Sequence, residues 1–202
     1  MNIKVLSDDW EPQKLVNREG KVDEVREALS KSNIVIIEGV SGVGKTTLTR
    51  RITKTIINCL VSRSYPAILK ALKSVAKTNI VAFDDFTLAI TWKNINLVRR
   101  ISAERKVILI VHPWVSLPIS GVKVVMPPYN SKEIYDIIVD RVRLGNLDAD
   151  DDALLYIAEK VGYPRGSGSA RVAITLVRSA IQVFGRLNMQ SAEYVIRKLY
   201  RL

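Results

Sequence analysis

The stretch IEGVSGVGKTTLTRR, Ile37–Arg51, decides the fold. Within it GVSGVGKT, Gly39–Thr46, fits the spacing G-x-x-x-x-G-K-[ST], preceded by an apolar run and followed by a helical pattern. That context makes the motif a phosphate-cradling loop, because glycines let backbone N–H groups turn inward and the following helix adds its positive end. Gly39, Val40, Ser41, Gly42, Val43, Gly44, Lys45, Thr46 and Thr47 therefore form the candidate nucleotide loop. Lys45 is suited to bridging the β- and γ-phosphates, and the Thr46 hydroxyl to holding Mg²⁺.

Working outward, apolar runs rich in β-branched residues recur at Ile34–Ile37, Ile56–Val61, Ile80–Phe83, Val107–Val111 and Val122–Met126, with helical segments between most of them. Near-continuous Val/Ile runs point to strands covered on both faces, so the expectation is an α/β domain on a five-stranded parallel sheet over residues 1–128. The third run, NIVAFDDF, delivers Asp84 and Asp85 to the C-terminal edge of that sheet, where ligands bind in open α/β folds. Asp84 is the expected metal-side carboxylate, and Asp85 the candidate for orienting or activating an attacking water. The fourth run ends at the only histidine, His112, on the same edge.

After Pro127-Pro128 the pattern changes to four helices, read over 130–145, 150–162, 169–185 and 188–202, which gives a small all-helical lid domain at 129–202. Asn130 with Glu133 makes a capping box, Asp150–Asp152 place negative charge at a helix start, and Gly145, Gly162 and Gly185 stand where C-terminal glycines belong. Val172, Leu176, Ala180 and Phe184 recur at i, i+4 and predict a core-facing stripe.

Composition removes several classes. The 202 residues are 48% hydrophobic and 25% charged, which suits a globular protein and not a disordered one. The longest apolar runs are strand-sized, so neither membrane insertion nor secretion is expected, and a cytoplasmic location is. One cysteine, Cys59, excludes an internal disulfide and a cysteine metal cluster. The net charge of +11 is concentrated in residues 34–130, which hold 14 Lys/Arg against 4 Asp/Glu. Such an excess favours polyanionic partners, nucleic acid first. Arg99-Arg100 with Arg105-Lys106, and Arg197-Lys198 with Arg201, are the two competing basic surfaces.

With loop, acidic pair and helical segment in place, the chain resembles an AAA+ ATPase, most closely the archaeal replication initiators of the origin-recognition and cell-division-control type. The most specific parts of the resemblance are EPQKLVNREGKVDEV (Glu11–Val25) and VVMPPYNSKEIYDIIVDRV (Val124–Val142), and INCLVSRSYPAIL and GSARVAITLVRSA are also similar to family segments. It implies an ATP/ADP-binding conformational switch. Arg171 would approach the γ-phosphate from the lid, His112 would take the place of a sensor asparagine, and Leu15, Val16, Tyr129 and Ile137 would enclose the adenine.

The sequence departs from the family pattern in three places. Asp85 stands where the family usually has glutamate, Lys123 is the sole cation in the region that usually supplies an arginine finger, and the chain stops at Leu202, where typical initiators continue into a winged-helix domain. These departures imply slow hydrolysis and weak, sequence-poor, salt-sensitive DNA contact. A second class is a nucleotide-stabilised module without turnover that docks a full-length initiator or a helicase; a small-molecule kinase fits the paired boxes less well. The sequence carries no statement of oligomeric state.

Overall fold

The computed structural model describes residues 1–75 and 78–200 and divides the chain into two compact units. One comprises Arg18–Val40 and Gly44–Met126; the other comprises Met1–Asn17, Ser41–Val43 and Pro127–Leu202.

The first unit holds strands β1 (Ile34–Glu38), β2 (Ile56–Asn58), β3 (Ile80–Asp84), β4 (Lys106–Val111) and β5 (Val122–Val125), with helices α1 (Glu19–Lys31), α2 (Lys45–Arg50), α3 (Tyr65–Ser74) and α4 (Trp92–Ser102). The five strands form one all-parallel sheet in the order β2-β3-β4-β1-β5, as the Val/Ile runs predict. Alternation across the pleat sends Ile34, Ile36, Val81, Phe83, Val107 and Leu109 into a cluster with Ile68 of α3 and Ile95 and Val98 of α4. Val35, Ile37, Ala82, Ile108 and Ile110 are equally buried, and α1 and α2 pack on the sheet through β1, β4 and β5. Both faces of the central strands are thus covered.

The edges differ from the sequence expectation. The run Ile56–Val61 predicts one strand, but β2 stops at Asn58, because β3, its one partner among the described residues, ends opposite at Asp84. Asn58 then turns the chain by accepting the amide of Leu60 on its side-chain oxygen (2.8 Å), which leaves Leu60 and Val61 exposed. On the other edge, β5 buries Val124 and exposes Lys123 and Val125, since a single neighbour covers it.

The second unit holds α5 (Ser131–Gly145), α6 (Asp151–Val161), α7 (Ala170–Phe184) and α8 (Met189–Leu199). The capping box at Asn130 is complete, with Glu133 N–H donating to the Asn130 side chain and Asn130 N–H to the Glu133 carboxylate, both at 2.9 Å. Asp151 and Asp152 occupy the first turn of α6, while Asp150 pairs with Arg186 at 2.7 Å.

The three glycines part ways. Gly185 ends α7 in the left-handed conformation, as expected. Gly145 is still helical and Asn146 is the left-handed cap; a side chain at 145 would come within 2.8 Å of Val5 and 2.9 Å of Asn2 O, so close approach explains this glycine. Gly162 is extended. The core stripe of α7 is Ala173, Leu176, Val177, Ala180 and Ile181, with Phe184 exposed and edge-to-face with Tyr194.

An N-terminal one-turn helix, Ile3–Leu6, belongs to this unit. It buries Val5 and Leu6 against α5 and α7. Arg141 donates to Val5 O (2.6 Å) and lies 3.9 Å over the ring of Trp10, and Arg178 donates to Leu6 O (3.3 Å). Among the described residues, no helix is long and apolar enough to cross a membrane.

Candidate nucleotide site

In the sheet unit, the chain leaves β1 at Glu38 and Gly39 N–H donates to Val111 O of β4 (3.3 Å). Gly42 and Gly44 adopt φ of +80° and +88°, the left-handed region, so the turn requires residues without a Cβ. Lys45 opens α2, is buried, and curls back so that Nζ donates to Gly39 O (2.6 Å) and Val40 O (2.8 Å). Thr49 supports that turn by donating to Lys45 O (2.9 Å). Because α2 spans only six residues, the attraction of this loop for anions rests on its amides and the Lys45 ammonium more than on a long helix dipole.

Thr46 Oγ1 donates to Asp84 Oδ2 at 2.8 Å, which joins the loop helix to the end of β3. Burial, foremost, raises the Asp84 pKa, and the Asp85 charge adds to it; the Thr46 hydroxyl, the Asp85 N–H and Lys45 pull the other way without cancelling the rise. A half-buried carboxylate beside a hydroxyl is a pair of hard oxygen donors, which fits Mg²⁺, an ion that commonly takes one or two protein oxygens and fills its shell with water and phosphate. Among the described residues no cluster of three or more His, Cys, Asp or Glu offers a different metal site.

Asp85 sits at φ +52°, a conformation that few non-glycine residues adopt, and starts a one-turn helix, Phe86–Ala89. Its Oδ1 lies 3.5 Å from His112 Nε2. At that distance the pair is a close polar contact rather than a well-formed hydrogen bond. His112 N–H donates to Thr87 Oγ1 (2.9 Å), so Thr87, which sequence reading passed over, pins the ends of β3 and β4 together. Lys123, the sole cation of its region, pairs with Glu38 at 2.7 Å.

The helical unit includes the loop tip, Ser41–Val43. Ala170 N–H donates to Gly42 O (3.1 Å), Arg171 Nη1 donates to Ser41 Oγ (3.3 Å), and a Cβ on Gly42 would fall 2.0 Å from Ser169 Oγ. The first turn of α7 therefore rests on the tip and holds Arg171 beside it. Asn17 donates to Asp136 Oδ2 (3.3 Å) and Glu133 O (3.4 Å), which brings the segment carrying Leu15 and Val16 to α5 one turn before Ile137. Tyr129 is buried, its N–H donating to Gly168 O (3.0 Å). Asn17 stands just before α1 but does not cap it, its amide donating instead to α5, a partner that sequence spacing does not announce.

Residues 18–111 match the family model described as Novel STAND NTPase 3. The chain is similar to ORC1-type DNA replication protein 2 of Thermoplasma acidophilum, at 23% identity over 249 aligned positions, covering 93% of this chain and 61% of that protein. It thus spans less than two-thirds of that relative's length. Among solved structures, the Aeropyrum pernix ORC2 protein in ADPNP-ADP complexes superimposes with a TM-score of 0.76 at 18% identity, over 98% of this chain and 72% of that one. The Aeropyrum pernix ORC1 protein in complex with DNA does so with a TM-score of 0.74 at 19% identity, over 98% and 69%. The chain therefore has an AAA+ fold of the archaeal ORC/Cdc6 type, an α/β core on an all-parallel five-stranded sheet accompanied by helices.

Proposed function

We propose that this chain binds ATP and ADP with Mg²⁺ and acts as a nucleotide-dependent conformational switch of the initiator type, contacting DNA or a replication partner and hydrolysing ATP slowly. The observation that carries the reading is the 2.8 Å bond between Thr46 and Asp84 beneath a glycine loop whose lysine is already turned inward. The solved relatives with ADPNP and ADP, and with DNA, support it.

In this reading the backbone from Gly39 to Thr47 wraps the phosphates, and Lys45 exchanges its two carbonyl partners for phosphate oxygens. Thr46 and Asp84 would hold Mg²⁺, which would supply charge neutralisation on those oxygens. Asp85 positions the attacking water, His112 reads the nucleotide state, and Arg171 reaches the γ-phosphate. Leu15, Val16, Tyr129 and Ile137 enclose the adenine. The sheet unit is the α/β nucleotide-binding domain and the helical unit, which takes in Met1–Asn17 as well as 129–202, is the lid, in a cytoplasmic protein.

DNA contact in this scheme is weak and sequence-poor. Arg99 and Lys106 already donate to Pro118 O (2.7 Å) and Asn33 Oδ1 (2.8 Å), and Arg197 pairs with Glu193 at 3.3 Å. Arg201 lies outside the described residues.

Titration of the chain with fluorescent ATP and ADP analogues tests the proposal. Saturable binding that Lys45→Ala weakens is expected, and equal affinity in the variant would overturn it. A second reading, a nucleotide-stabilised module that docks a full-length initiator or a helicase without turnover, is favoured by Asp85 facing His112 and by Lys123 being committed to Glu38. Sustained multiple turnover by the isolated chain would rule that reading out.

A further inference from the structure

Strands β2, β3 and β4 are neighbours in the sheet, and the loops leaving their C-terminal ends all expose large apolar side chains. Leu60 and Val61 follow β2, Leu88 and Trp92 follow β3, and Trp114, 95% exposed, follows β4. These loops are pinned to one another. Asn94 of α4 donates from Nδ2 to Arg63 O (3.0 Å) and Ala89 O (2.6 Å), and His112 N–H reaches Thr87.

Between the second and third loops lies a cavity of about 350 Å³ lined by Ile90, Thr91, Trp92, Ile95, Ser116 and Pro118. Its outer wall follows from an alternation. Leu117 and Ile119 pack against the core, so the intervening Ser116 and Pro118 stay exposed, as Trp114 does. The side-chain polar groups of the lining are two hydroxyls and the indole N–H of Trp92, and the Thr91 hydroxyl already accepts Asn94 N–H at 3.2 Å.

The rim is basic. Lys93 follows Trp92 in the chain and is exposed, and Arg99 donates to Pro118 O of the cavity wall; Arg63 meets α4 only through its backbone O, its own Nε donating to Leu60 O (3.0 Å). No Asp or Glu occurs from Phe86 to Ala103, from Gly39 to Phe83, or from Arg105 to Lys132.

We infer that this cavity docks an acidic segment of a partner protein, with one bulky apolar side chain filling the pocket and the flanking carboxylates meeting Lys93 and the remaining N–H donors of Arg99. A buried apolar anchor ringed by complementary charge is the arrangement that concentrates binding energy at protein interfaces. A nucleic acid would satisfy the cations equally well. However, its base edges would lose water against Ile90, Ile95 and Pro118 and regain few hydrogen bonds. The inference uses neither the glycine loop nor Asp84, and so it stands or falls apart from nucleotide binding.

The test uses the full chain and a blocked, fluorescein-labelled twelve-residue peptide of Asp and Glu with one central Phe, read by anisotropy. Saturable binding is expected, weakened at least tenfold when the central Phe is Ala, and similarly by Trp92→Ala and by Lys93→Glu, both exposed positions. Lys45→Ala should leave it unchanged. Absence of saturable binding, or equal binding of the Ala peptide, overturns the inference. So does displacement of the peptide by a twelve-residue oligo-dT whose own binding depends on Trp92, an outcome that assigns the cavity to single-stranded nucleic acid.

Discussion

The Asp85 carboxylate stands 3.5 Å from Nε2 of His112, linking the ends of adjacent strands β3 and β4. The group proposed to hold the attacking water therefore lies beside an imidazole, on a side chain held at a left-handed backbone position. Asp85→Glu lengthens the reach by one methylene and is expected to raise single-turnover ATP hydrolysis about tenfold or more, a change of ~1.4 kcal/mol in the barrier. Asp85→Asn should remove it. Phosphate release measured for the three proteins checks this, and no gain in the glutamate variant would show that reach is not what limits turnover.

Lys45→Ala removes the buried ammonium that now bonds Gly39 O and Val40 O. Loss of a charge-assisted contact of about 1.5–3 kcal/mol predicts a drop in ATP affinity of roughly 10- to 150-fold. Calorimetric titration measures it directly.

Asp84 gives a trade-off between holding a nucleotide and stability. Its pKa is raised, chiefly by burial, so the native state binds its proton more tightly than the unfolded chain does, and stability declines as pH rises through the folded pKa. Asp84→Asn keeps a partner for the Thr46 hydroxyl and removes the buried charge. It is expected to raise the melting temperature of the nucleotide-free protein at neutral pH while abolishing the Mg²⁺ dependence of ATP binding. Paired thermal melts and titrations with and without Mg²⁺ separate the two effects.

Burial, then the charges of Asp84 and Asp85, push the Cys59 thiol up to about 12. The thiolate is the reactive form, so disulfide reagents at pH 8 should modify native Cys59 about 10³-fold more slowly than the unfolded chain. By the same linkage, stability should fall as pH rises from about 9 towards about 12, where the unfolded chain has released a proton that the native state retains.

Arg141 loses water on burial, which lowers its pKa to about 10 against the opposing pull of Asp140, yet it remains charged at neutral pH. Its bond to Val5 O and its stacking on Trp10 fasten the N-terminal turn to α5. Arg141→Ala is expected to cost about 2 kcal/mol, or ~4–8 °C in melting temperature, with Arg141→Met less damaging because it keeps the packing. Urea denaturation of both variants tests the ordering.

What could be read from the sequence was local. The glycine loop, the apolar runs ending in Asp84 and the Asn130–Glu133 box each depend on a few consecutive residues, and each has its expected structure. The misreadings came from distant neighbours. Only the position of β2 at the sheet edge, beside a strand that ends at Asp84, could shorten the Ile56–Val61 run. Gly145 looked like a helix stop because nothing in its neighbourhood announces that Val5 and Asn2 approach it from 140 residues away. Phe184 fits the periodicity of α7 yet stays exposed, meeting the equally exposed ring of Tyr194 on α8. In the site, Asp84 with Thr46 followed from motif logic, whereas Thr87 and Asn17 act through bonds that no spacing rule encodes.

The parallel sheet also dictates an order of assembly. Ile34 of β1 pairs with Val107 and Val35 with Val122, partners 73 and 87 positions further along the chain. A ribosome adding roughly 5–20 residues per second leaves this apolar strand without either neighbour for several seconds. The early part of the glycine loop is thus synthesised well before the strands that fix it in place, and the nascent chain must carry an open, aggregation-prone edge until Val122–Val125 has emerged.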